Sequence, residues 1–530
     1  MNRAVQWWLA TLVIILPVIS QSQIWVARYD GPGSREDYAW GIAVDSVSNV
    51  YVTGKSHDSV TGYCDYATVK YDASGVEQWV ARYNGPANSY NAATAIVVDN
   101  AGNVYVTGRS AGSGTYNDYA TVKYDTLGLE QWVTRYDGPD HSYDEANAIA
   151  VDETGSVFVT GRSLTTNTDW DYVTVKYDAM GIEQWVARYD SPGGGYDDAH
   201  AIVVDNIGNT YVTGWSRISS TDWDYATVKY DASGVEQWVA RYNGPGNGHD
   251  RANAIAIYNT DNIYVTGHSE GSGTDDDYAT VKYDASGMQQ WVARYDGPGH
   301  SSDSANAIAV DNAGNIYVTG CSSGSGTYWD YATVRYDASG AEQWVARYDG
   351  PANFDKANAI VVDYLRNVYV TGMSEGNSGG TEYATVKYDS LGVEQWVVRY
   401  NGLRYHLDCD KTIAAWHDGP GDPIGDVATG IALDNAGNVL VTGFSLGSGS
   451  YYDYATIKYS PTGIEESQLT QNKSNSLHAT IFGGFLQLPK GKKCKIYDIT
   501  GRVVELTKIT RGIYFIEVEG VVTQKVVKVR

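Results

Sequence analysis

An all-β fold is predicted for this chain on three observations: an aromatic, glycine-rich composition, one unit written eight times, and a lone strand before the first unit. The 530 residues include 44 Tyr and 16 Trp against 6 Phe, with 58 Gly. Aromatic and β-branched residues suit the half-buried face of a strand. Abundant Gly with scarce Leu argues against a helical bundle or a leucine-rich solenoid. Charged residues make up only 19%, so the chain is not a disordered polyelectrolyte. A net charge of −25 argues against the basic face that phosphate binding requires, and no nucleic-acid partner is expected.

The first element, residues 1–22, reads as a signal peptide. Arg3 supplies the positive start, Trp7 to Ile19 is almost wholly apolar, and Ser20-Gln21-Ser22 offers small residues for cleavage. The apolar run is too short for the ~20 residues of a span and contains Pro17. No transmembrane helix is therefore expected in the mature chain.

The second element, residues 23–460, is the repeat array. Tyr-Val-Thr-Gly or a near copy ends at Gly54, Gly108, Gly161, Gly214, Gly267, Gly320, Gly372 and Gly443. Spacings are 52 to 54 residues, with a last gap of 71. Each unit holds four strand-like runs: in the second, Ala95–Asp99, Asn103–Gly108, Asp118–Asp125 and Glu130–Tyr136. Asp99-Asn100-Ala101-Gly102-Asn103 and Asp72-Ala73-Ser74-Gly75 supply the positive φ of tight turns. One register across the second hairpin sets Lys70 opposite Glu77, a structural pair.

Repeated four-stranded antiparallel units of this size predict a β-propeller. The eighth unit lacks its fourth strand, and that strand stands alone at Trp25–Tyr29, where pairing with the last unit would cover an open edge. The run from Ala305 to Gly320 (ANAIAVDNAGNIYVTG), followed by Asp330-Tyr331-Ala332-Thr333-Val334, resembles the bacterial beta-propeller repeat usually called seven-bladed. That resemblance covers about residues 25–460 and implies seven blades. The count in this chain implies eight, and eight is the expectation, with seven the alternative.

Residues 461–478 read as a linker, and residues 479–530 as a small β-sandwich. From Lys490 to Arg530 there are 10 Lys/Arg against 4 Asp/Glu, a charge shift that marks a separate module. The motif from Tyr497 to Val504, with Gly501 and Arg502, then Gly512-Ile513-Tyr514-Phe515 and the end containing Lys525 and Lys528, resembles the C-terminal sorting domain of type IX secretion. The resemblance implies that machinery as a partner and a secreted or outer-membrane-attached location.

Catalytic motifs are not specific here. Asp72-Ala73-Ser74-Gly75-Val76-Glu77-Gln78-Trp79 resembles the tryptophan-docking motif of eight-bladed quinoproteins, where the Trp packs between blades. Cys64, Cys321, Cys409 and Cys494 are isolated, without the vicinal pair many of those enzymes carry, so no cofactor is expected. The nine His show no metal-ligand spacing. Asp275-Asp276-Asp277 lacks the spacing and central Gly of a calcium loop, so no metal is expected. A Cys64–Cys409 disulfide is conceivable from the topology alone.

Variation between the copies points to one face. The second-to-third and blade-to-blade connections emerge at the same end, and aromatic residues concentrate there. Trp40, Tyr90, Trp170, Trp215, Trp223, Trp329, Tyr405, Trp416 and Tyr452 form the candidate binding face. Rigid amphipathic rings beside Asp and Asn suit sugar stacking or protein contact. A monomeric, non-enzymatic scaffold for a glycan or protein ligand is expected. The alternative is a polysaccharide hydrolase or lyase at the channel face.

Overall fold

The computed structural model describes residues 23–461, apart from 34, 115, 166–168, 219–221, 378, 403–424 and 448–450, together with the backbone of four C-terminal strands. The signal-peptide and linker readings lie outside the described residues. The chain divides into two compact units, with the boundary between Gly463 and Ile464. Every regular element among the described residues is a strand, and no helix is long and apolar enough to cross a membrane.

The first unit is an eight-bladed β-propeller. Blade 1 comprises Asp37–Val44, Val50–His57, Cys64–Tyr71 and Glu77–Tyr83, paired in that order. Blades 2 to 7 repeat the pattern over Asn91–Tyr136, Asp144–Tyr189, Asp197–Tyr242, Asp250–Tyr295, Asp303–Tyr348 and Asp355–Tyr400. Blade 8 takes Val427–Leu433, Val439–Leu446 and Tyr452–Tyr459 from the end of the array and Gln23–Tyr29 from its start. The N-terminal strand runs antiparallel to Tyr452–Tyr459, with Val26 opposite Ile457 and Tyr29 opposite Tyr454. Ring closure therefore removes the edge an open array would expose.

Side chains repeated in every unit hold neighbouring blades together. The Tyr66 hydroxyl donates to the Ala120 carbonyl of the next blade at 3.1 Å, and the series continues unbroken until Tyr454 returns to Ala67 at 3.2 Å. A second ring is made by indoles: Trp79 donates to the Thr126 carbonyl, and Trp25 to that of Ala73. Among the described residues, seven of these indoles lie against the turn glycine of the following blade. A Cβ on Gly128, whose φ is +80°, would sit 2.6 Å from Trp79. Gly54 is fixed for a different reason, since a Cβ there would fall 1.9 Å from the Tyr38 carbonyl on the adjoining strand.

Two irregularities recur. The hairpin between the third and fourth strands carries a bulge, so Lys70 faces Trp79 and Tyr71 faces Glu77. The expected Lys70–Glu77 pair is thus corrected. Gln78 is the inserted residue, and its amide donates to Asp72 Oδ2 at 2.9 Å and to the Val76 carbonyl at 3.1 Å. Lys70 instead reaches across the blade junction to the Thr126 carbonyl and lies 5.2 Å from the Tyr51 ring centre. The second bulge lies in the innermost strand, at Trp40 and its equivalents Thr94, Asn147, His200, Asn253, Asn306, Asn358 and Thr429. Six of these eight donate to a carbonyl of the next blade, as Asn306 does to Ala357 at 2.7 Å.

In the C-terminal unit, Ala479–Phe482 pairs in parallel with Val521–Lys528. That strand pairs antiparallel with Gly512–Val518, which pairs with Cys494–Asp498. The described backbone forms this one four-stranded sheet. Gly512 lies opposite Lys528, Phe515 opposite Lys525 and Tyr514 opposite Val526. Gly501 and Arg502 of the sorting motif lie outside the described residues.

Candidate functional site

At one end of the propeller the repeat gives way to variation. The residue after each Tyr-Val-Thr-Gly copy is Lys55, Arg109, Arg162, Trp215, His268, Cys321, Met373 and Phe444 in turn. Across the ladder these face Tyr38, Ala92, Glu145, Asp198, Arg251, Ser304, Lys356 and Val427 on the innermost strand. The two positions are thus held side by side by an otherwise uniform sheet. They form one layer that differs in every blade.

The layer forms an arc through blades 8 and 1 to 6. At its start Phe444, Tyr452 and Tyr38 are in mutual ring contact, with centroids 4.7 to 5.4 Å apart. The Lys55 ammonium lies 4.5 Å from Tyr38, 5.6 Å from Trp40 and 5.8 Å from Tyr90. Arg109 sits 5.3 Å from the centre of the same Tyr90 ring and pairs with Glu145 at 2.7 Å. Glu145 also binds Arg162 at 2.5 Å, and Arg162 binds Asp198 at 2.8 Å and the Tyr196 hydroxyl. Burial opposes the Glu145 charge, but the two guanidiniums outweigh it and hold its carboxyl below the usual range.

Beyond Arg162 the arc becomes aromatic. The Arg162 guanidinium lies 4.5 Å from Trp170. Tyr196 stacks on Trp215 at 4.8 Å and 7°, and Trp215 meets Trp223 at 4.9 Å. Trp223 meets His249 at 4.5 Å, and Arg251 lies 4.3 Å from Trp223 and 5.1 Å from Trp215. Trp215 Nε1 donates to His200 Nε2 at 3.1 Å, which is why His200 leaves the inter-blade ring that Asn serves elsewhere. A separate open groove of about 420 Å³ lies over blades 6 and 7, lined by Tyr328, Trp329, Phe354 and Ser323.

The structure thus brings Trp40, Tyr90 and Tyr452 into one cluster and Trp170, Trp215 and Trp223 into a second, while Trp329 lines the separate groove. Tyr405 and Trp416 lie outside the described residues, as does Cys409 of the conceived disulfide. Trp40 and Trp215 lie within strands, and Trp170, Trp223, Trp329 and Tyr452 are each the first residue of a third strand, which corrects their assignment to connections. Trp215 is buried, because Tyr196 and Trp223 cover it. The more exposed rings at this end are Tyr63, Tyr116, Tyr328 and Tyr451, each one residue before a third strand. The ion-pair chain from Arg109 to Asp198 and the residues Lys55, Arg251 and His268 went unselected by aromatic content. Their signal was variation immediately after an otherwise constant glycine, for Lys55, Arg109, Arg162 and His268, and at the innermost-strand position facing it, for Glu145, Asp198 and Arg251.

Acidic groups gather at the blade junctions. In five of them three aspartates offer oxygens within 4.8 Å of one another, as Asp118, Asp137 and Asp144 do. These are the groups among the described residues that could hold a cation. One carboxylate in such a trio is ion-paired to the fourth-strand arginine, as Asp118 is to Arg135 at 2.7 Å. Another accepts a glycine N–H, as Asp144 does from Gly138 at 2.8 Å. Burial raises Asp144 to about 6. Asp277 of the acidic loop is likewise paired, with Arg294 at 2.8 Å. Cys64 is buried with its sulfur 3.4 Å from His57 Nε2, and burial lifts its thiol to about 11.

The family model for the beta-propeller repeat matches four segments, residues 25–59, 78–114, 290–326 and 343–380. No curated protein matches the sequence. Among solved structures the chain is similar to a eukaryotic initiation factor, at 9% identity and a TM-score of 0.37 over 76% of this chain and 89% of that one. It is similar to the β-propeller domain of the Trilobed protease from Pyrococcus furiosus, described as having an open velcro topology, at 10% identity and a TM-score of 0.40 over 72% and 98%. It is also similar to a gluconolactonase from Xanthomonas campestris, at 13% identity and a TM-score of 0.28 over 62% and 99%.

Proposed function

We propose that the propeller is an exported binding scaffold, presenting the varied layer and its rim of aromatics to a glycan or protein ligand. One observation carries this reading. Across eight copies the positions that join blades repeat, while the layer at one end changes from blade to blade and gathers rings and charges. A uniform ring supplies rigidity, and variation confined to one end supplies a surface with directional chemistry. Rings that are held by packing lose little freedom on meeting a ligand.

The carboxylates of the layer favour binding over hydrolysis. Glu145 is held by two arginines, and both Asp198 oxygens are engaged, by Asn147 and by Arg162. A glycosidase needs one carboxyl available as acid and a second free to act as base or nucleophile. Glycan-array binding by the purified protein, run beside a polysaccharide depolymerisation assay, tests the reading. Binding without cleavage is expected, and depolymerisation by the propeller would overturn it.

The export part rests on the N-terminal segment and the basic C-terminal unit. Removal of residues 490–530 is expected to retain the protein inside the cell envelope. Surface delivery of that truncated chain would refute the sorting role.

A further inference from the structure

Ion pairing in the varied layer is uneven. Arg109 and Arg162 are neutralised by Glu145 and Asp198 in the chain already described. Arg251 on blade 5 and Lys356 on blade 7 occupy the same innermost-strand position as Glu145 and Asp198. Among the described residues neither has an ion-pair partner. The Arg251 guanidinium lies against Trp215 and Trp223, and its Nε meets no acceptor. Asp276 and Asp198 bear on it electrostatically without forming a salt bridge, and Asp198 is already bonded to Arg162 and Asn147.

Blade 6, between these two cations, carries small residues at the paired positions, Ser304 and Cys321. Ser304 Oγ hydrogen-bonds His268 Nδ1 at 3.3 Å. His268 faces Arg251 across the ladder, and burial, then the Arg251 charge, disfavours its protonation. The chain as a whole carries −25. A half-buried cation without a counter-ion is costly, and an anionic ligand would supply the missing partner.

We infer that this stretch, from Arg251 on blade 5 to Lys356 on blade 7, binds a carboxylate-bearing sugar. Its carboxylate would be placed between Arg251 and Lys356 above Ser304, with the sugar ring toward the open groove of Tyr328, Trp329 and Phe354. Guanidinium matches carboxylate geometry, and an indole offers a sugar ring an apolar plate. The inference rests on the binding reading given above and narrows it to one arc and one ligand charge.

The test is calorimetric titration of the full chain with a short oligogalacturonate and with the same oligomer after carboxyl reduction. The acidic oligomer is expected to bind at least tenfold tighter than the reduced one. R251Q and K356Q should each weaken it tenfold or more, and R251K, which keeps the charge but not the guanidinium fork, should fall between R251Q and the parent. R366Q removes an equal charge at the opposite end, where Arg366 pairs with Asp311, and should change nothing. Equal binding of both oligomers, no binding of the acidic one, or R251Q and K356Q losses no greater than that of R366Q would overturn the inference. Neutral glycans bound on the array would leave the broader binding reading standing in each case.

Discussion

Replacing Asp250 by Asn should stabilise the protein near neutral pH. Asp250 begins the innermost strand of blade 5, is fully buried, and accepts the Gly244 N–H at 2.8 Å through Oδ2, while Oδ1 has no partner. Burial is the main reason its pKa rises from 3.8 to about 6. A carboxyl with a raised folded-state pKa gives stability that is full below the unfolded pKa and lost as pH rises through the folded one. At about pH 7.5 the shift corresponds to roughly 3 kcal/mol of lost stability, falling to about 1 kcal/mol at about pH 4.5. An amide avoids that cost, and blade 2 shows that it fits: Asn91 holds the equivalent position, takes the Ser110 hydroxyl at 2.7 Å, and donates to the Ser89 and Cys64 carbonyls. Neighbouring Asn243 matches Asn84, so Asp250→Asn recreates a junction the chain already contains. Urea denaturation followed by tryptophan fluorescence should give a variant more stable by about 1–3 kcal/mol at about pH 7.5, with the gain shrinking on acidification. A variant less stable than the parent at neutral pH, or a difference independent of pH, would refute the reasoning.

Three further outcomes follow from the interfaces. Gly128→Ala places a Cβ 2.6 Å from Trp79 at a φ of +80°, and should lower stability by at least about 1–2 kcal/mol in the same denaturation assay. Tyr225→Phe removes the hydroxyl donor to the Ala279 carbonyl, which keeps the Thr266 hydroxyl at 3.3 Å, so a loss of about 1 kcal/mol is expected; no change would show that this bond adds nothing. Deleting residues 23–29 removes the Arg28 bonds to Asp453 and Tyr400 and bares the edge of Tyr452–Tyr459. That chain should melt lower and associate with rising concentration in sedimentation velocity, and an unaltered monomer would refute the closure argument.

The ring was legible in the sequence because its signals were written seven or eight times each. A single Asp-Ala-Ser-Gly is weak evidence for a turn, but recurring in register with a docking Trp it fixes a hairpin and its neighbour together. The leftover strand at Trp25–Tyr29 likewise had only one edge that it would complete. What escaped was set by local competition between side chain and backbone. Gln78 bonds to Asp72 and to the Val76 carbonyl, and this draws an extra residue into the hairpin and shifts Lys70 onto Trp79. The same Asp and Gln recur from Asp125 and Gln131 to Asp389 and Gln395, so the bulge had a repeated signal of its own.

At the candidate site, aromatic content was followed where variation was the stronger guide. Trp215 stands at the position of Lys55, Arg109 and Arg162, directly after a glycine whose fit against the adjoining carbonyl fixes the strand. Since the backbone cannot change there, any difference between blades must be expressed in the side chain that follows. A position both rigidly held and free to vary is suited to present ligand chemistry. Tryptophan at that position therefore belongs with its arginine and histidine counterparts, in one layer rather than with the loop rings. Across the ladder from that position, Arg251 and Lys356 stand where Glu145 and Asp198 stand in blades 3 and 4, and the carboxylate that Arg109 and Arg162 each have is the group a ligand would bring them.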